Sequence, residues 1–273
     1  MVNDGQWTPE IISRFWDYVG NQPYSQEMCF PKLVGKGIIQ FLIESGSLWE
    51  GMVALDFGCG PGFLLEHLLS HGLNCYGVDS SSEQIALVNR KFSEFSSWRG
   101  ASVAFHPPLP YSDDSFDLII CVEVLEHLLP KDLETTPLEI FRLLKTKGRA
   151  LFTTPNNEDL GRHKVYCPFC DTTFHRRQHL NSFNSDHIFS LLQSLGFKIL
   201  FCENLDFDAL QKPHFNITWK SWNLRFLMKN IKFLQNKIID LISPKPFPHG
   251  RVFRTRAGCK PNAPHLCALV EKP

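Results

Sequence analysis

Residues 53–63, Val-Ala-Leu-Asp-Phe-Gly-Cys-Gly-Pro-Gly-Phe, place a glycine-rich turn directly after a short apolar run. The run from Met52 to Leu55 is typical of a buried parallel strand, and residues 63–69 continue with helical apolar spacing. Strand, glycine turn and helix form the ligand-binding unit of doubly wound α/β proteins. Glycine lets the backbone approach a ligand closely, and the helix N terminus presents free N–H groups. The sequence therefore predicts an α/β protein that binds a nucleotide-like ligand.

Two details of this turn indicate which ligand it binds. Gly58, Gly60 and Gly62 follow a Gly-x-Gly-x-Gly pattern, whereas dinucleotide-binding proteins use Gly-x-Gly-x-x-Gly. Asp56 lies at the strand end, where its carboxylate would repel a phosphate and attract an ammonium or sulfonium group. S-adenosylmethionine carries both of these cations and no phosphate, so the pattern predicts S-adenosylmethionine as the ligand.

The same stretch resembles the first motif of the class I S-adenosylmethionine-dependent methyltransferases, and the resemblance covers roughly residues 33–201 and the last strand. It implies a Rossmann-like, doubly wound sheet of seven mostly parallel strands with helices on both faces. The last strand would insert antiparallel between the fifth and sixth. The resemblance also implies that Asp56 and the three glycines hold the methionine end of the cofactor.

A second acid follows the next predicted strand. Residues 73–79 form an apolar run that ends at Asp79, close to the offset at which an acid meets ribose hydroxyls in dinucleotide folds. We predict that Asp79, with Ser80 beside it, binds the ribose of the cofactor. The third strand of the family often ends in an acid that faces adenine. This chain has His106 and two prolines there instead, which leaves the adenine partner open.

Glu123, Glu126 and His127 follow the predicted fourth strand, at the sheet edge where open α/β proteins place their chemistry. If these residues open a helix, the three side chains share one face. The triplet resembles a metal-binding Glu-x-x-Glu-His of small-RNA 2′-O-methyltransferases and ubiquinone-pathway O-methyltransferases, in which a downstream histidine, here His179, completes the site. Alternatively, no metal binds, and Glu123 or His127 is the general base. The sequence leaves both interpretations open.

A Cys-x₂-Cys-x₄-His-x₃-His pattern, formed by Cys167, Cys170, His175 and His179, lies in an insert after the predicted fifth strand. Two cysteines separated by two residues and two histidines on one helix face are suitable ligands for tetrahedral Zn²⁺. We predict a structural zinc site here, and some bacterial methyltransferases of this class carry a similar Cys-Pro-x-Cys insert. His179 would belong to both predicted metal sites, so the two exclude each other.

The chain divides into four predicted parts. Residues 1–46 form N-terminal capping helices, and residues 47–207 with 263–273 form the methyltransferase domain, which contains the zinc insert at 158–183. Residues 208–262 form a helical insert that serves as a lid or interface. Its segment 222–242 has an apolar face and a basic polar face, which predicts packing on the body, a homodimer contact or peripheral membrane contact.

Composition narrows the function. Lys and Arg total 28 and Asp and Glu total 28, so the overall charge gives no indication of a nucleic-acid partner. Nine cysteines and the absence of a signal-peptide pattern favour the cytoplasm. We predict an S-adenosylmethionine-dependent methyltransferase acting on oxygen or nitrogen of a small-molecule or glycan-like acceptor. The alternative is a non-catalytic, methyltransferase-like interaction module.

Overall fold

A computed structural model describes residues 3–4, 6–104, 106–211 and 263–273 of the chain. Within the helical insert predicted at 208–262, residues 212–262 lie outside the described residues, and so do the membrane and dimer contacts predicted for 222–242. None of the helices in the described ranges combines the length and the apolar character that a membrane-spanning segment requires.

Strands and helices alternate through the central part of the chain, as the sequence predicts. The strands are β1 (Asn3–Asp4), β2 (Val53–Phe57), β3 (Asn74–Asp79), β4 (Trp98–Val103), β5 (Phe116–Val122), β6 (Leu144–Pro155), β7 (Lys164–Cys167), β8 (Thr172–His175), β9 (Lys198–Leu205) and β10 (His265–Glu271). The helices are α1 (Pro9–Gly20), α2 (Pro23–Glu27), α3 (Phe30–Glu44), α4 (Phe63–Ser70), α5 (Ser82–Lys91), α6 (Asp132–Leu143), α7 (Ser185–Ser194) and α8 (Phe207–Gln211).

Seven of these strands form the main sheet, in the order β4-β3-β2-β5-β6-β10-β9. The pairs from β4 to β6 are parallel, whereas β10 is antiparallel to both of its neighbours, β6 and β9. The predicted fold class is therefore confirmed, including the insertion of the last strand between the fifth and sixth strands of the sheet.

Helices cover both faces of the sheet. Because successive strand residues point to opposite sides, neighbouring residues are buried in different cores. Ala54 belongs to a core formed with α3, α4 and α5, while its neighbour Leu55 belongs to a second core formed with α6 and α7. Ile120 and Ile119 on β5 alternate in the same way. This packing leaves the carboxyl ends of the strands as the place for polar groups.

A second, three-stranded sheet has the order β1-β8-β7, and its hairpin β7–β8 lies in the insert predicted at 158–183. The stretch after β5 also differs from a simple helix start. Glu123 has φ +53°, in the left-handed region, and only a short 3₁₀ turn, Leu125–His127, follows it. The helix considered for residues 123–127 is therefore wrong, and backbone turns rather than one helix face position this triplet.

Helix α3 packs closely on α8 through a glycine. A Cβ at Gly37 would overlap the main-chain carbonyl oxygen of Phe207. Alanine normally stabilises a helix interior by about 1 kcal/mol relative to glycine. We expect Gly37→Ala to lower the free energy of unfolding instead, by about 1–3 kcal/mol, because the two backbones must move apart. Denaturant unfolding monitored by circular dichroism measures this change.

Gly35→Ala, in the same helix, is the matched control. Its Cβ would lie 2.7 Å from the ring of His67. This contact is with a side chain, which can move aside, and not with the main chain. We expect a change of less than about 1 kcal/mol there. Equal effects of the two substitutions would contradict the proposed role of the α3–α8 approach.

Candidate active site

The glycine turn between β2 and α4 forms an open cradle. Gly58 N–H and Cys59 N–H both donate to the Val78 carbonyl, at 2.8 and 3.0 Å, which fixes the turn against β3. Gly60 has φ +46°, and within the described part of the chain no atom other than those of Gly60 and its two chain neighbours lies within 4 Å of the position that its Cβ would occupy. Gly62 has φ +77° and precedes the first turn of α4. A side chain at Gly60 would fill this cradle, so the turn suits the close approach of a ligand.

Asp79, at the end of β3, joins the glycine turn to the next helix. Its Oδ2 accepts a hydrogen bond from Gly60 N–H at 2.8 Å, and its Oδ1 accepts one from Ser81 N–H at 2.9 Å. Burial raises the pKa of Asp79, and these backbone donors offset part of that effect. Ser80 lies directly between Asp79 and the N-cap of α5, Ser81. The carboxylate predicted to bind ribose therefore lies beside the open cradle.

Asp56 lies on β2 and is only 3% exposed. Burial, followed by the charge of Asp79, raises the pKa of Asp56 to about 8. The charged form of this carboxyl is therefore costly in the ligand-free protein. A cationic ligand near the strand end would lower that cost, which fits the predicted contact with the methionine end of the cofactor.

Glu126 lies at the same edge of the sheet, in the 3₁₀ turn after β5, and is only 1% exposed. We call this edge the cleft: the glycine turn with Asp79 forms one half of it and the turn after β5 the other. Among the described residues, neither of its carboxylate oxygens has a hydrogen bond of ordinary geometry. Burial raises the pKa of Glu126 well above its usual value, and the nearby charge of Glu123 adds to the shift. A buried carboxyl without hydrogen bonds of ordinary geometry is costly, so this group is suited to a bound cation.

Two histidines lie next to this carboxyl. Glu126, His127 and His179 each place one candidate ligand atom within 4.8 Å of the others. His127 Nδ1 lies 3.2 Å from the Gln178 carbonyl oxygen, which can only accept, so the ring hydrogen is on Nδ1. Nε2 then carries a lone pair, 3.8 Å from Glu126 Oε1. Burial lowers the pKa of His127 to about 3, so the ring is neutral, the form that binds metals.

Glu123 lies beside this cluster and is held by two neighbouring strands. Its Oε1 accepts a hydrogen bond from Thr153 Oγ1 at 2.9 Å, and its Oε2 lies 3.3 Å from Nδ1 of His265 on β10. A non-glycine residue at φ +53° costs on the order of 1 kcal/mol and is typical of functional sites. The structure thus fixes this carboxylate at the sheet edge.

The structure does not assemble the predicted zinc site of Cys167, Cys170, His175 and His179. Among the described residues, the two groups with three nearby candidate ligands contain no cysteine: Glu126 with His127 and His179, and Glu158 with His175 and His179. Cys167 pairs with Thr172 at one end of the β7–β8 hairpin, whereas His175 pairs with Lys164 at the other. Three extended residues span about 10 Å, so β8 separates the thiols from the histidines. His175 ends a strand, and the helix face assumed for the two histidines is wrong.

Three residues near this cluster have no motif that would have identified them. Glu158, in the loop after β6, contacts His179 Nδ1. The side chain of Gln178 donates to the His127 carbonyl at 2.9 Å and accepts from Trp16 Nε1 at 2.9 Å. Trp16 lies on α1, and its ring packs edge-on against His127. Since Asp17 on α1 also accepts a hydrogen bond from Ser81, this helix bridges the two halves of the cleft.

Comparisons with known proteins agree with this architecture. The sequence profile described as "Methyltransferase domain" matches residues 34–200, and the chain belongs to this family. "Uncharacterized protein MJ0638" of Methanocaldococcus jannaschii is 26% identical over 203 residues, 74% of this chain and 76% of that protein. A ubiquinone biosynthesis O-methyltransferase of Sodalis glossinidius is 29% identical over 153 residues, 54% of this chain and 56% of that protein, so the match spans about half its length.

A solved structure shows the shared fold. The Burkholderia thailandensis 1,6-didemethyltoxoflavin-N1-methyltransferase, with bound 1,6-didemethyltoxoflavin and S-adenosylhomocysteine, has a TM-score of 0.56 at 15% identity. The alignment covers 99% of this chain and 93% of that one. The family and the fold together identify the chain as an S-adenosylmethionine-dependent methyltransferase. They do not specify the atom that is methylated.

We expect Asp56→Asn to stabilise the cofactor-free protein increasingly as the pH rises. Asp56 has a pKa of about 8 in the folded state against 3.8 for an ordinary aspartate side chain, so folding takes up a proton at pH values between the two. The wild type therefore loses stability as the pH rises toward 8, and asparagine does not titrate. The stability gain of the variant should grow by on the order of 3 kcal/mol between pH 5 and pH 8.

Denaturant unfolding of both proteins across this pH range measures the difference. Glu134→Gln, on the exposed side of α6, is the control for replacing a carboxyl with an amide, and its effect should not vary in this way. A stability difference between Asp56→Asn and wild type that stays constant with pH would contradict the raised pKa.

Proposed function

We propose that this methyltransferase transfers the methyl group of S-adenosylmethionine to an oxygen of a small-molecule or glycan-like acceptor, with a divalent metal ion held by Glu126, His127 and His179. The observation that carries the proposal is the buried carboxyl of Glu126: within the described residues neither of its oxygens has a hydrogen bond of ordinary geometry, and two imidazoles lie beside it. The proposal favours the metal-dependent interpretation of the sequence over the interpretation without a metal.

The donor set fits a metal of the first transition series. One carboxylate and two imidazoles are ligands that Zn²⁺ and similar divalent ions accept. The main-chain carbonyl of Gln178 keeps the Nε2 lone pair of His127 available, in the way that outer hydrogen bonds orient metal-binding histidines. When bound, the metal would lower the pKa of an acceptor hydroxyl.

The cofactor half of the cleft follows from the glycine turn. The open space at Gly60 admits a ligand against the main chain, and the Asp79 carboxylate beside it can accept hydrogen bonds from two ribose hydroxyls. Asp56 would face the cationic methionine end. When bound, the cofactor supplies an activated methyl group on its sulfonium. The main contribution of these residues is therefore to position the cofactor for in-line transfer.

Glu123 is the candidate general base in this arrangement. His127 is neutral with its Nε2 directed to the proposed metal set, so it is poorly suited to accept a proton at the same time. Glu123 lies at the adjacent sheet edge, and its hydrogen bond from Thr153 fixes the orientation of its carboxylate. In that position the Glu123 carboxylate can take up the proton from the hydroxyl group of the methyl acceptor.

Relatives support oxygen as the methylated atom. Several of the curated proteins that match this chain are ubiquinone biosynthesis O-methyltransferases, at 24–31% identity. The fold itself does not separate oxygen from nitrogen, since a structure with the same fold belongs to an N-methyltransferase. The proposed metal site favours oxygen as the methylated atom, because lowering the pKa of a hydroxyl assists methylation at oxygen.

The cofactor assignment predicts a large effect of Asp79→Ala. We expect the wild type to bind S-adenosylmethionine and S-adenosylhomocysteine in calorimetric titrations, and the variant to bind both at least about a hundredfold more weakly. The physical reason is the loss of two hydrogen bonds from ribose to a charged acceptor, each of which contributes about 1.5–3 kcal/mol.

Asp117→Ala is the matched control. Asp117 also accepts a main-chain hydrogen bond, from Val53 N–H at 2.9 Å, but at the opposite end of β2. Its replacement removes a similar structural contact without touching the cleft. Unchanged cofactor affinity in Asp79→Ala, or equal losses in both variants, would refute the ribose assignment.

The metal assignment predicts that Glu126→Gln loses bound metal. Wild-type protein dialysed against Zn²⁺ or Mn²⁺ should retain about one equivalent by elemental analysis, because three protein ligands form one site. The variant should retain much less, since an amide replaces the charged ligand. Methyl transfer to a panel of hydroxyl acceptors should be lost in EDTA and restored by added metal.

The double variant Cys167→Ser/Cys170→Ser separates this site from the predicted zinc site. We expect it to retain metal like the wild type. Calorimetric binding of S-adenosylhomocysteine shows that each variant is folded. Metal lost from the cysteine variant but kept in Glu126→Gln would overturn the assignment and restore the zinc site.

A further inference from the structure

His179 belongs to both groups of candidate ligands, so its ring hydrogens determine which group can bind a metal. Its Nδ1 contacts Glu158 Oε2, which accepts the ring hydrogen. Nε2 is therefore the ring nitrogen left with a lone pair. The ring lies 4.8 Å, between centroids, from that of His127. In this tautomer, Nε2 of His179 is available to bind a metal together with Glu126 and His127.

His175 has the opposite arrangement. Its Nδ1 accepts hydrogen bonds from the backbone N–H groups of His179 at 3.1 Å and Arg177 at 3.4 Å. The hydrogen of the neutral ring must then lie on Nε2, which is 3.5 Å from Glu158 Oε1. A neutral histidine that bound a metal through Nε2 would need its hydrogen on Nδ1, where two donors already point. His175 is thus poorly suited as a ligand.

The geometry of the two histidines points to a role for Glu158 and His175 outside the metal's own ligands. We propose that both are positioning residues, and that the Glu158 carboxylate, contacted by Nε2 of His175, holds His179 in the tautomer that binds the metal with Glu126 and His127. The proposal rests on the proposed function. It also gives His175, which is only 4% exposed, a role that does not require the cysteines.

Burial makes this arrangement effective. The Glu158 side chain is 14% exposed and that of His179 is 6% exposed, so water competes little for their contact. The imidazole rings of His175 and His179 stack with 4.6 Å between their centroids, which fixes the ring plane of His179. A carboxylate that receives the second hydrogen of a metal-binding histidine orients the ring and increases its basicity, and its loss typically costs 10–100-fold in metal affinity.

The test is titration of metal-free protein with Co²⁺, followed by visible absorption and by calorimetry. We expect the wild type to bind Co²⁺ with the absorption bands of a site containing imidazole ligands. Glu158→Ala should bind Co²⁺ about 10–100-fold more weakly, with altered bands. Glu158→Gln should recover part of the affinity, because its amide oxygen still accepts the Nδ1 hydrogen. His175→Ala should show a smaller loss than Glu158→Ala.

His163→Ala is the matched control. The His163 ring lies 5.8 Å from that of His175, but it belongs to neither group of candidate ligands. We expect its Co²⁺ affinity and spectrum to equal those of the wild type. Binding of S-adenosylhomocysteine provides a check of folding that does not depend on the metal. If Glu158→Ala does not bind it and is therefore unfolded, Glu158→Gln is compared with the wild type instead.

The outcomes separate this inference from the proposed function. If the wild type and both Glu158 variants bind Co²⁺ equally, Glu158 has no positioning role, while the metal site stands. If Glu158→Gln binds as weakly as Glu158→Ala in folded protein, acceptance of the Nδ1 hydrogen is not the mechanism and the inference fails. If the wild type binds no metal, both proposals are overturned.

Discussion

The burial of both faces of the parallel sheet is the constraint on which the site depends. Burial disfavours charged side chains in the middle of these strands, and those of the site lie where the strands end. Asp79 ends β3, Glu123 directly follows β5, and Glu126 lies in the next turn, while Asp56 lies one residue before the end of β2. Burial raises the pKa of Asp56, Asp79 and Glu126. The edge of the sheet is therefore complementary to cations, which suits a sulfonium cofactor and the proposed metal.

The histidines at this edge show how hydrogen positions can distinguish two sites of identical composition. Each group of candidate ligands contains one glutamate and two histidines. In one group, a carbonyl and a carboxylate take the ring hydrogens of His127 and His179, and each ring keeps a lone pair on Nε2. In the other, backbone donors occupy Nδ1 of His175. Composition and proximity alone would not separate the groups, whereas the hydrogen-bond partners favour the first.

The cofactor half of the molecule could be predicted from sequence because its residues are close together along the chain. The glycine turn and Asp56 fall within residues 53–63, and a strand, a turn and a helix of ordinary length fix their relation. Asp79 follows from the length of one further helix and strand. The antiparallel insertion of the last strand, β10, came from resemblance to a family and agrees with the structure. Individual ligand contacts in this half remain predictions.

The ligands of the proposed metal site were named only by resemblance to a family, as one of two open interpretations, because they come from segments that are distant along the chain. Sequence spacing suggested that His175 and His179 share a helix face with two cysteines nearby, but β8 is extended and separates the thiols from the imidazoles. Glu158 and Gln178 have no motif, and only the packing of two loops brings them to His179 and His127. By itself the sequence predicted the strand, glycine turn and helix from hydrophobic periodicity and local turn residues, and the cofactor from the glycine spacing and the charge of Asp56, while the seven-stranded fold came from the family resemblance that these motifs carry. Tertiary structure alone decided that Glu158 contacts His179, because contacts between distant segments depend on how those segments pack.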